Sequence, residues 1–122
     1  MSKNASFPRS ERLVHTKEYR HVFKKGKKFH DSGISLYCFK LENNDLGKLG
    51  VIISRKAVRK ATQRNRMKRV VREFFRKRKA NRIQGNQIIV RVEEGCKSFK
   101  NKELQQIVEK LFFRAGILAK TN

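Results

Sequence analysis

Between Arg55 and Lys79 the chain places thirteen basic residues and a single acid, Glu73, and any fold must accommodate that run. Thirteen positive charges against one put more than half of the chain's formal +22 into 25 of its 122 residues. Met67, Val70, Val71, Phe74 and Phe75 recur at i, i+3, i+4, i+7 and i+8, the spacing of one apolar stripe on a helix. At about 100° per residue, Asn65, Arg69, Arg72 and Arg76 fall on the opposite side, with Arg66 and Lys68 flanking them. The like-charge neighbours Lys68 with Arg72 and Arg72 with Arg76 repel by a few tenths of a kcal/mol per pair. An ordinary solvated helix is one reading; a helix waiting for polyanions explains the repeated repulsion better. A membrane-surface helix is the third, and it loses because the rest of the chain offers a core for the apolar stripe.

That core belongs to one domain. The apolar fraction of 38% is low but sufficient, and the longest apolar runs, such as Val51-Ile52-Ile53 and Ile88-Ile89-Val90, are far too short to span a bilayer. No apolar stretch follows Met1-Ser2-Lys3-Asn4, so a soluble, cytoplasmic protein is expected. Cys38 and Cys96 lack metal-ligand spacing and read as small hydrophobes, with neither disulfide nor zinc. Residues 1–12 read as a mobile basic arm, 13–118 as the α+β domain and 119–122 as a tail.

Within the domain a short helix is expected after Thr16 as N-cap, with Tyr19, Val22 and Phe23 on one face and Gly26 as its stop. The apolar run from Ile34 to Leu41, a turn at Asn43-Asn44-Asp45 and a second run from Leu49 to Ser54 read as an antiparallel hairpin. After the basic helix comes a third strand, Gln87 to Val92. The last helix carries Leu104, Ile107, Val108, Leu111, Phe112 and Ala115 at helical spacing, capped by Ser98 or Asn101 and stopped by Gly116. The fold class is α+β, a small sheet packed with helices in the order helix, strand, strand, helix, strand, helix. Its strand-helix-strand unit from Leu49 to Val92 is a crossover, ordinarily right-handed.

The run Ser54-Arg55-Lys56, then Ala57 to Gln63, then Arg64-Asn65-Arg66-Met67-Lys68-Arg69-Val70-Val71-Arg72-Glu73-Phe74-Phe75-Arg76 closely resembles the signature of the bacterial ribonuclease P protein subunit. Arg12-Leu13, Tyr19, Val22-Phe23, Leu36-Tyr37, Leu49-Gly50-Val51 and Ile88-Ile89-Val90 follow in the family's order, so the resemblance covers roughly residues 9 to 116. It implies a left-handed crossover, against the general rule. It also implies an accessory subunit of a ribonucleoprotein endoribonuclease, which binds a catalytic RNA and the 5′ leader of precursor tRNA while the RNA and its magnesium cut. By this resemblance the catalytic RNA meets Arg59, Lys60, Arg64, Asn65, Arg66, Lys68, Arg69 and Arg72. The leader meets Tyr19, Phe23, Tyr37, Arg55, Lys56 and Arg91.

The chemistry of those residues suits the division. Guanidinium forks and the Lys68 ammonium fit phosphate oxygens, and Asn65 can donate and accept at a base edge or 2′-hydroxyl. Flat rings stack on unpaired bases, with Tyr19 and Tyr37 better exposed candidates than Phe23, for which core packing is an equal rival. Where the resemblance implies basic residues this chain has Val92-Glu93-Glu94, which lowers the positive charge at that end of the cleft. His15, His21 and His30 have no triad or ligand partner at a suggestive spacing, so no catalytic residue and no protein-held metal is expected. No obligate protein partner is implied. A ribosomal or other structural RNA-binding protein is the alternative, and a non-specific DNA-binding protein the third. Replacing Arg66 or Arg69 by alanine is expected to weaken RNA binding with little loss of melting temperature.

Overall fold

Along the chain the elements are α1 (Thr16–Lys25), β1 (Lys27–Asp31), β2 (Ile34–Lys40), β3 (Lys48–Ile53), α2 (Ala61–Arg78), β4 (Asn86–Val92) and α3 (Asn101–Arg114). The computed structural model describes residues 12–13, 15–41, 47–78, 85–93 and 99–117. The strands form one sheet in the order β1-β2-β4-β3. β4 lies antiparallel to β2 and parallel to β3, with Val90 opposite both Leu36 and Val51. Its place in the middle follows from its side chains: Ile88, Val90 and Val92 are buried on one face and Ile89 on the other. A strand that is apolar on both faces is stable only where both are covered.

Two expectations therefore change. The runs Ile34–Leu41 and Leu49–Ser54 do not pair as a hairpin, because β4, with buried side chains on both faces, lies between them. The hairpin is instead β1–β2, and β1 adds a strand to the expected order. Its two-residue turn, Ser32-Gly33, has φ of 54° and 81°, both left-handed, as a tight hairpin with right-handed twist requires. The Ser-Gly pair was the available signal; the polar sequence of β1, with Lys27, Lys28 and His30 exposed, hid the strand. Charged residues are what a sheet edge uses against unwanted pairing.

The sheet has two unequal faces. On one, α2 buries Met67, Val70, Val71, Phe74 and Phe75 and α3 buries Leu104, Val108, Leu111 and Phe112, with Phe74 and Phe112 edge to face at 5.2 Å. Ile34, Leu36, Cys38, Leu49, Val51 and Ile53 complete that core. The other face holds a smaller cluster of Leu13, Val22 and Ile89 under α1, which covers only part of it.

The helix ends differ from expectation by one residue. α1 and α3 begin after His15 and Lys100, not at Thr16 or Asn101 as caps. In each the glutamate three residues in reaches back: Glu103 Oε1 accepts from the Lys100 N–H at 3.0 Å, and Glu18 Oε1 from the His15 N–H at 3.5 Å. A carboxylate in the first turn thus does the work assigned to Thr16 and Asn101. α3 stops as expected, with Gly116 at φ 75° and the Ile117 N–H bonded to the Phe112 carbonyl at 3.1 Å. Cys38 is buried and free, while Cys96, Ser98, Glu94, the 1–11 part of the expected arm and the 119–122 tail lie outside the described residues. Arg12 pairs in parallel with Leu49 at the β3 edge.

Gly26 joins α1 to β1 where no side chain fits. A Cβ there would stand 2.6 Å from the Val22 carbonyl oxygen and 2.7 Å from that of Cys38, both rigid backbone atoms. Gly26→Ala is expected to destabilise the protein by about 1–3 kcal/mol, read as a lower urea midpoint with unchanged slope.

Candidate nucleic-acid interface

The basic helix presents a graded surface. Arg59, Lys60, Asn65 and Arg69 are exposed, and Lys68 is partly so. Arg64 and Arg66 are partly occupied by the protein itself. Arg64 donates to the Val58 and Arg59 carbonyls at 2.9 and 2.8 Å, which fixes the segment leading into α2. Arg66 crosses to the start of α3, where its guanidinium bonds Asn101 Oδ1 and, at 2.9 Å, the Phe99 carbonyl. The idea that Arg66 is dispensable for stability is therefore corrected: it is a tie between two helices.

Arg72 is also less free than its helical position implied. Burial, then the Arg12 guanidinium, holds it below the ordinary arginine pKa, with Tyr19 close by. Tyr19 donates its hydroxyl to the Leu13 carbonyl at 3.1 Å, and its ring lies on Gly50, where a Cβ would meet the phenol oxygen at 2.5 Å. Its polar end is engaged inside the protein, and burial raises its pKa. Glu73, the lone acid of the run, pairs with Arg76 at 2.5 Å, so these two charges largely satisfy each other.

The half-covered face of the sheet forms a cleft beside α1. Phe23 from α1 meets Tyr37 from β2 edge to face at 4.7 Å, and Arg91 from β4 lies over the Phe23 ring at 5.9 Å. Lys28 lies over the Tyr37 ring at 5.6 Å. Cations over ring faces at such distances gain modest electrostatic attraction. Phe23, Ile52, Ser54, Lys56, Arg91, Val92 and Glu93 line an open recess of about 520 Å³. Thus three of the six expected leader residues, Phe23, Lys56 and Arg91, meet in one place, and Tyr37 adjoins them. Arg55 is exposed next to Lys56, and Tyr19, one helical turn before Phe23, packs on the same Leu13, Val22 and Ile89 cluster without lining the recess.

The family model described as ribonuclease P matches residues 7–116. The chain belongs to the ribonuclease P protein family. The ribonuclease P protein component of Thioalkalivibrio sulfidiphilus is 31% identical over 114 residues, covering 93% of each chain. That of Chromohalobacter salexigens is 37% identical over 103 residues, covering 82% of this chain and 77% of its own. Among solved structures, the Staphylococcus aureus ribonuclease P protein aligns with a TM-score of 0.80 at 25% identity, over 89% of this chain and 98% of that one. The Thermotoga maritima protein aligns with 0.67 at 29% identity, over 90% and 99%. The chain accordingly serves as a protein subunit of ribonuclease P in tRNA 5′-end maturation, as part of an endoribonuclease complex.

Several cleft residues escaped the sequence reading. Lys28, His30 and Ser35 face the cleft because they alternate with Phe29 and Leu36, whose side chains point to the main core. Only the β1–β2 register reveals them. No helix among the described residues is long and apolar enough to cross a membrane. Among the same residues no three His, Cys, Asp or Glu side chains converge as a metal ligand set.

Arg66→Ala and Arg69→Ala should now separate. Losing the tie to Phe99 and Asn101 is expected to cost about 1.5–3 kcal/mol, whereas the exposed Arg69 should stay within about 0.5 kcal/mol of the parent. Paired urea denaturation curves measure the difference.

Proposed function

We propose that the protein holds the catalytic RNA with the exposed cationic side of α2 and receives the single-stranded 5′ leader of precursor tRNA in the cleft beside α1. The observation that carries this reading is the placement of two RNA-competent surfaces, one rich in phosphate donors and one rich in rings, on opposite faces of one sheet. Arg59, Lys60, Lys68 and Arg69 neutralise phosphates, and Asn65 meets a base edge or a 2′-hydroxyl. Arg64, Arg66 and Arg72 add charge while holding the helix in place.

In the cleft, Phe23 and Tyr37 offer ring faces to unpaired bases, and Arg55, Lys56 and Arg91 track the leader phosphates. Tyr19 contributes by seating α1 on Gly50. The protein is an accessory subunit: phosphodiester hydrolysis belongs to the RNA with its magnesium ions, and the side chains bind and orient. It works in the cytoplasm and requires no obligate protein partner.

The isolated protein is expected to leave precursor tRNA uncut at physiological salt and to restore cleavage when added to a bacterial ribonuclease P RNA. Arg69→Ala should lower the slope of log affinity against log salt for that RNA by about 0.7–0.9. Tyr37→Ala should reduce the holoenzyme's preference for precursor over mature tRNA by the loss of one stacked base, about 1–3 kcal/mol, while binding of the RNA subunit persists. Failure to restore cleavage by folded protein would sink the reading.

A further inference from the structure

Glu93 puts a negative charge at the edge of the recess that is meant to hold a nucleic-acid strand. Its position is fixed, since its backbone N–H donates to the Gly33 carbonyl at 2.9 Å beside the β1–β2 turn. Oε2 accepts the Ser35 hydroxyl at 2.5 Å. Lys28 Nζ stands 3.8 Å from Oε2 and His30 Nε2 3.6 Å from Oε1, close enough for charge attraction but beyond a hydrogen bond. The Ser35 hydrogen bond, then the charges of Lys28, His30 and Arg91, hold the carboxyl below its ordinary pKa. It is therefore an ionised acceptor, with Oε1 lacking a hydrogen-bond donor among the described residues.

A carboxylate repels phosphate, so charge attraction to the backbone is not its use. Unpaired bases offer something it can accept: N–H groups on their Watson–Crick edges. The recess of about 520 Å³ is of the size that takes one small organic group, and its lining has a ring, two cations and one anion. We propose that the recess is a base-reading subsite in which Phe23 stacks on one leader base, Lys56 and Arg91 hold its phosphates, and Glu93 accepts from its edge, favouring guanine and disfavouring uracil.

The preference follows from donor patterns. Guanine presents N1–H and N2–H side by side, which two carboxylate oxygens can accept together. Adenine and cytosine each present one amino donor beside a ring acceptor. Uracil sets its single N3–H between two carbonyl oxygens, which the carboxylate repels. This inference rests on the cleft being the leader site, and it adds which base that site selects.

The test uses the reconstituted holoenzyme and precursor tRNAs whose leaders are uridine except for one guanosine moved position by position. At one position guanosine should tighten binding about tenfold relative to the all-uridine leader, with adenosine and cytidine between. Glu93→Gln keeps the size of the side chain and an acceptor for Ser35 but turns an amino group toward the base, and it should reduce that gain to less than about threefold. A flat scan with wild-type protein overturns base reading, and a guanosine gain that survives Glu93→Gln overturns its assignment to Glu93; both leave the leader site standing. Loss of any preference for precursor over mature tRNA in the wild-type holoenzyme overturns the leader site itself.

Discussion

The burial of β4 on both faces is the constraint from which the rest of the architecture follows. Ile88, Ile89, Val90 and Val92 are all withdrawn from water, which requires cover on both faces of the sheet. Once β4 is central and parallel to β3, the chain between them must cross over a face of the sheet, and α2 is that crossover. The apolar stripe of the basic helix is therefore pressed onto the sheet, and its charged side has nowhere to go but outward. Position and electrostatics of the helix are one consequence of four buried apolar residues in β4.

The cost of concentrating charge on α2 is met in two ways. Its first turn has no acid, and the arginines near that end sit where the helix dipole is already positive. Arg64 and Arg66 offset this locally by giving their donors to the Val58, Arg59 and Phe99 carbonyls, and Glu73 with Arg76 neutralises a later turn. Among the described residues, the exposed Arg59, Lys60 and Arg69 and the partly exposed Lys68 are left without a paired acid. On the proposed reading, phosphates complete that balance.

Much of this was legible because periodicity reports burial. The stripes of α2 and α3, the apolar runs of β2, β3 and β4 and the glycine stops after α1 and α3 all stand where their residues put them. The pairing of strands was not legible, because the Ile34 and Leu49 runs look like neighbours along the chain while the choice of a central strand depends on comparing them with β4. β1 escaped because an edge strand is specified by its partner and by two left-handed turn residues, Ser32 and Gly33, more than by its own polar sequence. Arg66 and Tyr19 show the matching limit for sites: helical position told which way each side chain starts, and contacts with Phe99, Asn101, Leu13 and Gly50, remote in sequence or direction, decided how much of each remains available.

The two surfaces meet at one short connection. Leaving β3, the chain turns at Ser54, whose carbonyl accepts from the Ala57 and Val58 N–H groups at 3.1 and 3.0 Å and whose Oγ accepts from Ala57 at 3.1 Å. Val58 is buried in the main core, and Arg64 bonds back to its carbonyl. Within these few residues Lys56 belongs to the cleft and Arg59 and Lys60 to the approach of α2. A segment held at both ends by hydrogen bonds and in the middle by a buried valine cannot swing freely. The cleft beside α1 and the basic helix are thus tied to each other through this connection, and on the proposed reading that tie sets the distance between the leader and the catalytic RNA.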